Sequence, residues 1–248
     1  MDWLHELWFE NLYETFMMTS DKLTFYSSPV AVMRLYLVWL SFFFASLKAE
    51  SEVTCMSVVK LKNDREGVML HSHDVKYGSG SGQQSVTGMV DEDDVNSHWQ
   101  ILPAQRKSCS RGEPIKCGEK IRLHHLSTGC YLHSHMFPAP LSRGYQEVSC
   151  FGNNDESDSG DNWIVVCNTD DWYRDESVKL KHDDTGYFLA TSGEQYGRPI
   201  SGQREVVAMS SPNSAALWRS VQGVYMVKAE DETENTEEDI DSRRHVEL

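Results

Sequence analysis

The sequence predicts an all-β protein built from three similar units, with an apolar segment before them and an acidic tail after them. Three observations support this fold class. A four-residue string recurs at regular spacing, short apolar stretches alternate with Gly, Ser and Asp turns, and a Trp closes each unit. Alternation of this kind is typical of β-hairpins, and recurrence at a fixed spacing is typical of repeat architectures.

The clearest repetition is the string Leu-His-Ser-His, which stands at 70–73 and again at 132–135. A diverged copy, Leu-Ala-Thr-Ser, stands at 189–192, so the leucines are separated by 62 and then 57 residues. The flanks repeat in the same order. The shared landmarks are a preceding strand with Leu61, Leu123 or Leu180, a loop glycine at Gly82, Gly144 or Gly202, a valine at Val86, Val148 or Val206, and a closing Trp99, Trp163 or Trp218.

A unit of about 55 residues has room for four short strands. One such unit cannot bury both its sheet edges and its apolar face. Three units can close around a pseudo-threefold axis, with a Leu, a Val and a Trp from each unit in the centre. We therefore predict a β-trefoil. A three-bladed propeller is the structural alternative, but propellers typically have four to eight blades.

Outside the repeats, the longest apolar run covers 35–47, which is too short for a membrane-spanning helix of about 20 residues. Such a run suits the core of a signal peptide, with Met33 and Arg34 before it and Ala49 as the small residue at the cleavage site. Residues 1–32 are expected to be an upstream extension, unstructured or absent from the mature protein. The alternative is a signal anchor that leaves 1–32 on the cytosolic side.

The C-terminal segment 228–248 carries nine acidic against three basic residues and is expected to be a disordered tail. It ends in His245-Val246-Glu247-Leu248, a variant of the signal that retrieves proteins to the endoplasmic reticulum. The expected location is therefore the lumen of that compartment, without a stable membrane span. The net charge of −15 argues against a nucleic-acid partner, because phosphate binding requires clusters of Lys and Arg.

The repeats also carry a family resemblance. Leu-His-Ser-His, the loops at 77–84 and 194–203, and the closing tryptophans resemble MIR motifs, which occur in protein O-mannosyltransferases and in the inositol-trisphosphate and ryanodine receptors. Three copies with a signal segment and a retrieval signal resemble the stromal cell-derived factor 2 family, which is a β-trefoil. The resemblance covers 50–227. The predicted division is an extension at 1–32, a signal peptide at 33–49, MIR repeats at 50–104, 112–168 and 169–223, and the acidic tail at 228–248.

The resemblance implies a non-catalytic lumenal protein that is an accessory subunit of a J-domain co-chaperone and Hsp70 complex, with misfolded proteins as clients. The alternative is a glycan-binding module linked to O-mannosylated proteins. No enzyme activity and no cofactor are expected, because the chain has no G-x-S-x-G or H-E-x-x-H motif and no phosphate-binding glycine loop.

Six cysteines in a lumenal chain predict a disulfide framework. Cys55 and Cys109 bracket the first repeat, and Cys117 and Cys167 bracket the second. Because the start and end of one trefoil unit lie close together, we predict the pairs Cys55–Cys109 and Cys117–Cys167. The remaining two cysteines flank the second Leu-His-Ser-His, and the sequence leaves open whether they pair or stay free. They are Cys130 and Cys150.

The paired histidines are the candidate site, because residues two apart in a strand project from the same face. One possibility is structural, with one histidine of each pair bonded to a loop carbonyl. Another is a shallow polar site with an aromatic ring beside it, which would suit a sugar or an extended polar peptide. A metal is not expected, since no third ligand is evident and the third repeat lacks both histidines. The candidate residues are His71, His73, Tyr77 and Gln83 in the first repeat, His133, His135 and Tyr145 in the second, and Tyr196, Arg198 and Gln203 in the third.

Overall fold

The computed structural model describes residues 52–174 and 176–228. Within these ranges the chain forms twelve antiparallel strands in three groups of four, which we call units 1, 2 and 3. The predicted signal peptide, residues 1–32 and the retrieval signal His245–Leu248 lie outside the described residues. No helix in the described part of the chain is long and apolar enough to cross a membrane.

Each unit has the same order of elements, with a single 3-10 turn before its last strand. Unit 1 contains β1 (Val58–Asn63), β2 (Met69–Lys76), β3 (Gln84–Met89) and β4 (Trp99–Pro103), unit 2 contains β5 (Lys120–His125), β6 (Tyr131–Pro138), β7 (Gln146–Phe151) and β8 (Trp163–Val166), and unit 3 contains β9 (Ser177–His182), β10 (Phe188–Gln195), β11 (Arg204–Met209) and β12 (Trp218–Val224). The 3-10 turns are Val95–Ser97, Ser159–Asp161 and Ser214–Ala216.

The pairing of the strands closes the sheet on itself. The first and last strands of the units form a six-stranded ring in the order β1, β4, β5, β8, β9 and β12, and β12 pairs back onto β1. The two middle strands of each unit form a hairpin, and the three hairpins contact one another through β3, β7 and β11. This is a six-stranded barrel capped by a triangle of hairpins, so the predicted β-trefoil is confirmed.

The landmark residues of the sequence form the core. The leucines, valines and tryptophans are all fully buried; they are Leu61, Leu70, Val86, Trp99, Leu123, Leu132, Val148, Trp163, Leu180, Leu189, Val206 and Trp218. Each tryptophan indole N–H donates to the carbonyl oxygen of the leucine in the same unit, at 2.8 Å for Trp99 and Leu70. Burial of these side chains is the main source of stability, and the indole bond satisfies a polar group that burial removes from water.

A polar position two residues after the first landmark leucine joins the units. Asn63, His125 and His182 are fully buried at this position. His125 Nε2 lies 2.8 Å from the carbonyl oxygen of Asn96, in the 3-10 turn of unit 1. His182 makes the same bond to Gly160 of unit 2 at 2.9 Å, and Asn63 Nδ2 donates to a carbonyl of unit 3 at 2.8 Å. Each unit is therefore bonded to the 3-10 turn of the unit before it.

Three disulfides tie the described chain. Cys55 is joined to Cys109 and Cys117 to Cys167, with Cα atoms 6.4 and 5.5 Å apart, and these are the pairs that the sequence suggested. The structure also joins the two cysteines that the sequence left open, namely Cys130 and Cys150. Their bridge links the residue directly before β6 to β7 in the hairpin of unit 2, where both cysteines are almost fully buried.

Candidate functional site

The two His-Ser-His strings lie on β2 and β6, the second strands of units 1 and 2. Strand alternation places the two histidines of each string on one face, as predicted from their spacing. The serine between them is buried on the other face; Ser72 Oγ donates to the carbonyl oxygen of Ser85 on β3. The serine thus binds the hairpin together, and the histidines are the side chains left to face the neighbouring 3-10 turn.

In unit 1 the two histidines bond to each other. His71 Nε2 lies 2.7 Å from His73 Nδ1, and His71 Nδ1 lies 2.8 Å from the carboxylate of Asp94. Burial, with a smaller effect of the neighbouring His71, lowers the pKa of His73. Burial alone would raise the pKa of Asp94, but hydrogen bonds from Ser97 and His71 outweigh it and the pKa is lowered. This network occupies both ring nitrogens of His71 and the Nδ1 of His73.

In unit 2 each histidine is instead held by a separate buried acid. His133 Nδ1 lies 3.0 Å from Asp161 Oδ1, and His135 Nε2 lies 3.0 Å from Glu147 Oε1. Both carboxylates are fully buried. The two imidazole rings meet edge to face, with centroids 5.2 Å apart. The structural interpretation of the sequence predicted that one histidine of each pair bonds to a loop carbonyl. In both units a carboxylate takes the place of that carbonyl.

A pocket of about 300 Å³ opens beside these two histidines, and we call it the unit 2 pocket. It lies where the 3-10 turn of unit 2 approaches the β9–β10 turn of unit 3. Its lining includes His133, His135, Met136, Asp158, Ser159 and Asp184. Gly160 allows the 3-10 turn to approach the ring of His133 closely, since a Cβ at this position would lie 2.3 Å from that ring.

The same region contains a group of possible metal ligands. His133 Nδ1 lies 3.5 Å from Asp158 Oδ1 as well as 3.0 Å from Asp161 Oδ1, and the three atoms lie within 4.8 Å of one another. The sequence gave no third ligand, because the two acids follow the histidine by 25 and 28 residues. The acids also serve another purpose. Asp158 caps the 3-10 turn through the amide of Gly160, and Asp161 accepts from the Asp158 amide, which completes a capping box.

The tyrosines expected near the histidines lie elsewhere. Tyr77 is buried, and its hydroxyl lies 3.0 Å from the carbonyl oxygens of both Val86 and Val148, between which its single proton is shared, in the cap of the trefoil. Burial raises the pKa of Tyr77, and burial likewise raises the pKa of Tyr196, which packs beside it. Tyr77 therefore cannot provide an aromatic surface beside His71 and His73.

The two glutamines connect units and are not in the lining of the unit 2 pocket. Gln83 Oε1 accepts from Ser149 Oγ at 2.5 Å, and Gln203 Oε1 accepts from Thr87 Oγ1. The last two candidates, Tyr145 and Arg198, are exposed and do not line the unit 2 pocket. Of the ten candidates, the structure brings His133 and His135 together in one pocket.

Two features near the site were not found from the sequence. The first is a pair of buried acids. Glu205 accepts from the amides of Leu141 and Ser142 and from Ser192 Oγ, so it holds the unit 2 loop from unit 3. Glu147 holds the unit 1 loop by accepting from Ser81 Oγ. The sequence feature that indicates these two acids is their position, because each directly precedes a landmark valine.

The second feature is an exposed apolar tip on the β6–β7 hairpin, which we call the unit 2 tip. It consists of Met136, Phe137, Leu141 and Tyr145, which are 81%, 49%, 44% and 36% exposed. The same turns in units 1 and 3 are polar, with Asp74-Val75-Lys76 and Gly193-Glu194-Gln195 in the strand positions. The sequence feature that indicates this tip is the run Met-Phe-Pro-Ala-Pro-Leu directly after the second His-Ser-His.

Comparison with known proteins agrees with this architecture. The MIR domain family model matches residues 68–208. Stromal cell-derived factor 2 of Mus musculus is 55% identical over 178 residues, which cover 72% of this chain and 84% of that protein. The stromal cell-derived factor 2-like protein of Arabidopsis thaliana is 41% identical over 184 residues, covering 73% of this chain and 84% of that protein.

Solved structures give the same result. A Caenorhabditis elegans protein of unknown function is 58% identical with a TM-score of 0.69, over 70% of this chain and 97% of that one. The Saccharomyces cerevisiae protein O-mannosyltransferase Pmt1–Pmt2 complex, bound to its sugar donor, is 25% identical with a TM-score of 0.65, over 79% of this chain and 29% of that one. On this fold, motif and identity, the chain belongs to the stromal cell-derived factor 2 family of MIR-domain proteins.

Proposed function

We propose that the protein is a non-catalytic component of protein quality control in the lumen of the endoplasmic reticulum. In this role it is an accessory subunit of a J-domain co-chaperone and Hsp70 complex and contacts misfolded clients. Three disulfides suit an oxidising compartment. The apolar segment at 35–47 and the C-terminal His-Val-Glu-Leu support entry into the lumen and retrieval to it.

The observation that carries the proposal is the unit 2 tip. Four apolar side chains on one hairpin are between 36% and 81% exposed, and a group of exposed apolar side chains is typical of protein-binding sites. Met136 is unbranched and flexible, which suits a surface that accepts varied partners. The tip is rigidly supported at its base, because Glu205 fixes the amides of Leu141 and Ser142. A polar sugar would gain little from such a surface, whereas a partner protein or an unfolded segment would gain burial.

The test is retention of the J-domain co-chaperone from a lumenal extract by the immobilised full chain, measured by quantitative mass spectrometry. Serine at both Met136 and Phe137 is expected to lower retention at least about fivefold, as for contact residues at the centre of an interface. The matched control is Val90→Ser, which removes a side chain that is 67% exposed on unit 1. Equal retention by the tip variant and by the control would place the partner surface elsewhere.

The alternative function is glycan binding linked to O-mannosylated proteins. It is favoured by the match to the O-mannosyltransferase complex, of which one chain contains a region similar in structure to this trefoil. The same experiment, repeated with free mannose as competitor, separates the two functions. A J-domain protein retained regardless of the sugar supports the chaperone complex, and loss of all retained proteins on adding mannose supports the glycan-binding module.

A further inference from the structure

We infer that the unit 2 pocket binds the positively charged side chain of a Lys or Arg residue in an extended peptide segment. The inference goes beyond the proposed function and does not depend on it, because the pocket takes a basic side chain whichever protein supplies it. It stands on three observations: the orientation of two imidazoles, the chemistry of the rim, and the difference between unit 2 and the other units.

In His133 and His135, the ring nitrogen that faces a buried acid is a hydrogen-bond donor. A carboxylate can only accept hydrogen bonds, so His133 donates its Nδ1–H to Asp161 and His135 donates its Nε2–H to Glu147, each at 3.0 Å. In a neutral imidazole the second nitrogen then carries a lone pair. No described residue hydrogen-bonds to His133 Nε2 or His135 Nδ1. These two nitrogens therefore have no partner among the described residues, and both rings are part of the lining of the unit 2 pocket.

The rim adds acceptors and negative charge. Asp158 and Asp184 are both in the lining, and the side chain of Asp158 is 54% exposed. The hydroxyl protons are already used: Ser159 Oγ donates to Asp184 at 2.6 Å, and Ser134 Oγ donates to the carbonyl oxygen of Glu147 at 2.9 Å. No Lys or Arg side chain of the described part of the chain lines the pocket. A complementary ligand must bring several donors and a positive charge, which is the chemistry of an ammonium or guanidinium group.

The apolar part of the lining fits the stem of such a side chain. Met136 borders the pocket and is 81% exposed, so it can cover the methylene groups of a Lys or Arg while the charged end reaches the acids. Phe137 packs edge-on against the His135 ring, with centroids 4.9 Å apart, and keeps that imidazole in place. A sugar is a poorer match, because its own acceptor oxygens would find no free side-chain donor here.

Units 1 and 3 cannot form the same site. In unit 1, His71 Nε2 and His73 Nδ1 are bonded to each other at 2.7 Å, so the corresponding nitrogens are occupied. In unit 3, the positions that correspond to the two histidines hold Ala190 and Ser192. The inference therefore concerns one site per chain, and a saturable 1:1 stoichiometry is expected.

The test is titration of the full chain, labelled at the methionine methyl groups, with acetyl-Gly-Gly-Arg-Gly-Gly-amide. The matched ligand carries citrulline, which has nearly the same shape as arginine but no charge. We expect the Met136 methyl signal to shift and saturate with the arginine peptide, and the citrulline peptide to bind about tenfold more weakly, as for loss of a charge-assisted hydrogen bond.

Two variants locate the binding. Asp158→Asn keeps a residue type that caps a helix well, and Asp184→Asn keeps an acceptor for Ser159; each is expected to weaken binding about threefold, as for a partly exposed ion pair. Asp93→Asn makes the same charge change on unit 1 and should leave binding unchanged. Equal affinity for both peptides, no effect of the two pocket variants, or a Met136 shift caused by methyl α-mannoside and not by the arginine peptide would each overturn the inference.

Discussion

The indole Nε1 of Trp218 lies 2.9 Å from the carbonyl oxygen of Leu189, and the two residues belong to the last strand and the hairpin of the same unit. Trp163 repeats the bond to Leu132 at 2.9 Å. Each unit thus attaches its barrel strand to its cap hairpin by one buried hydrogen bond inside the apolar core. The closing tryptophan of the repeat is therefore required for its N–H as well as for its size.

Replacing Trp218 by Phe separates these two contributions. The matched control is Trp172→Phe, because Trp172 is also fully buried but its indole N–H has no hydrogen-bond partner among residues 52–174 and 176–228. Both variants lose buried volume, at a cost of about 2 kcal/mol each. Trp218→Phe is expected to cost about 1 kcal/mol more, because it leaves the Leu189 carbonyl unpaired. Urea unfolding measures the difference, and equal free energies of unfolding would contradict it.

Acid is expected to destabilise the protein through His125. Burial lowers the pKa of His125 to about 4, although the bond to Asn96 opposes this, whereas the unfolded chain has an ordinary pKa of about 6.5. Between these two pKa values His125 is protonated in the unfolded state and neutral in the folded state. The contribution of neutral His125 to the free energy of unfolding is therefore fully present above pH 6.5. Below that pH the free energy of unfolding falls by about 1.4 kcal/mol per pH unit toward pH 4.

Unit 1 provides the variant that tests this dependence. Asn63 occupies the equivalent position and makes the equivalent bond without titrating. His125→Asn is expected to reduce the loss of stability between pH 6.5 and 5 by about 2 kcal/mol. Some dependence remains, because burial also lowers the pKa of His182. Urea midpoints of both proteins across this pH range check the prediction, and parallel pH profiles would show that His125 is not responsible.

Glu205 is expected to control the order of the unit 2 loop. Alanine at this position leaves two amides and a hydroxyl without their acceptor, at a cost of about 3 kcal/mol. Glutamine keeps one oxygen acceptor and should cost about 1 kcal/mol. Hydrogen exchange of the Leu141 and Ser142 amides should become faster in Glu205→Ala. Unchanged exchange would mean that other contacts hold the loop.

The disulfides are expected to contribute according to the length of chain that they close. The loops span 54, 50 and 20 residues. Alanine at both Cys55 and Cys109 should cost about 4 kcal/mol, and alanine at both Cys130 and Cys150 about 3 kcal/mol. Guanidinium unfolding of the two double variants gives the comparison. A larger loss for the shorter loop would show that packing in the hairpin outweighs the constraint on the unfolded chain.

The fold could be predicted because its determinants are apolar and repeat. Leu70, Val86 and Trp99 have counterparts at regular spacing, and burial of such residues leaves a pattern in the sequence itself. The histidines were also placed correctly on one face of a strand. Their partners could not be predicted, because Asp161 is 28 residues beyond His133 and meets it only when the 3-10 turn folds over the hairpin.

Tyr77 shows why one part of the candidate site was misplaced. It follows a strand whose register shifts between Ser72 and Lys76, so the alternation of inward and outward side chains does not continue through this segment. The Gly- and Ser-rich sequence after it suggested an exposed loop. The ring of Tyr77 instead packs beside Tyr196, and its hydroxyl lies 3.0 Å from the carbonyl oxygens of Val86 and Val148.

The pairing of β1 with β12 places Val58 opposite Val224, so the trefoil begins and ends at the same point on its surface. A domain whose ends are adjacent can be inserted into a loop of another polypeptide, because the two ends of that loop can stay close together. Similar trefoils can thus serve as whole proteins or as modules of larger ones. The Caenorhabditis elegans relative is matched over 97% of its length, whereas the O-mannosyltransferase is matched over 29%.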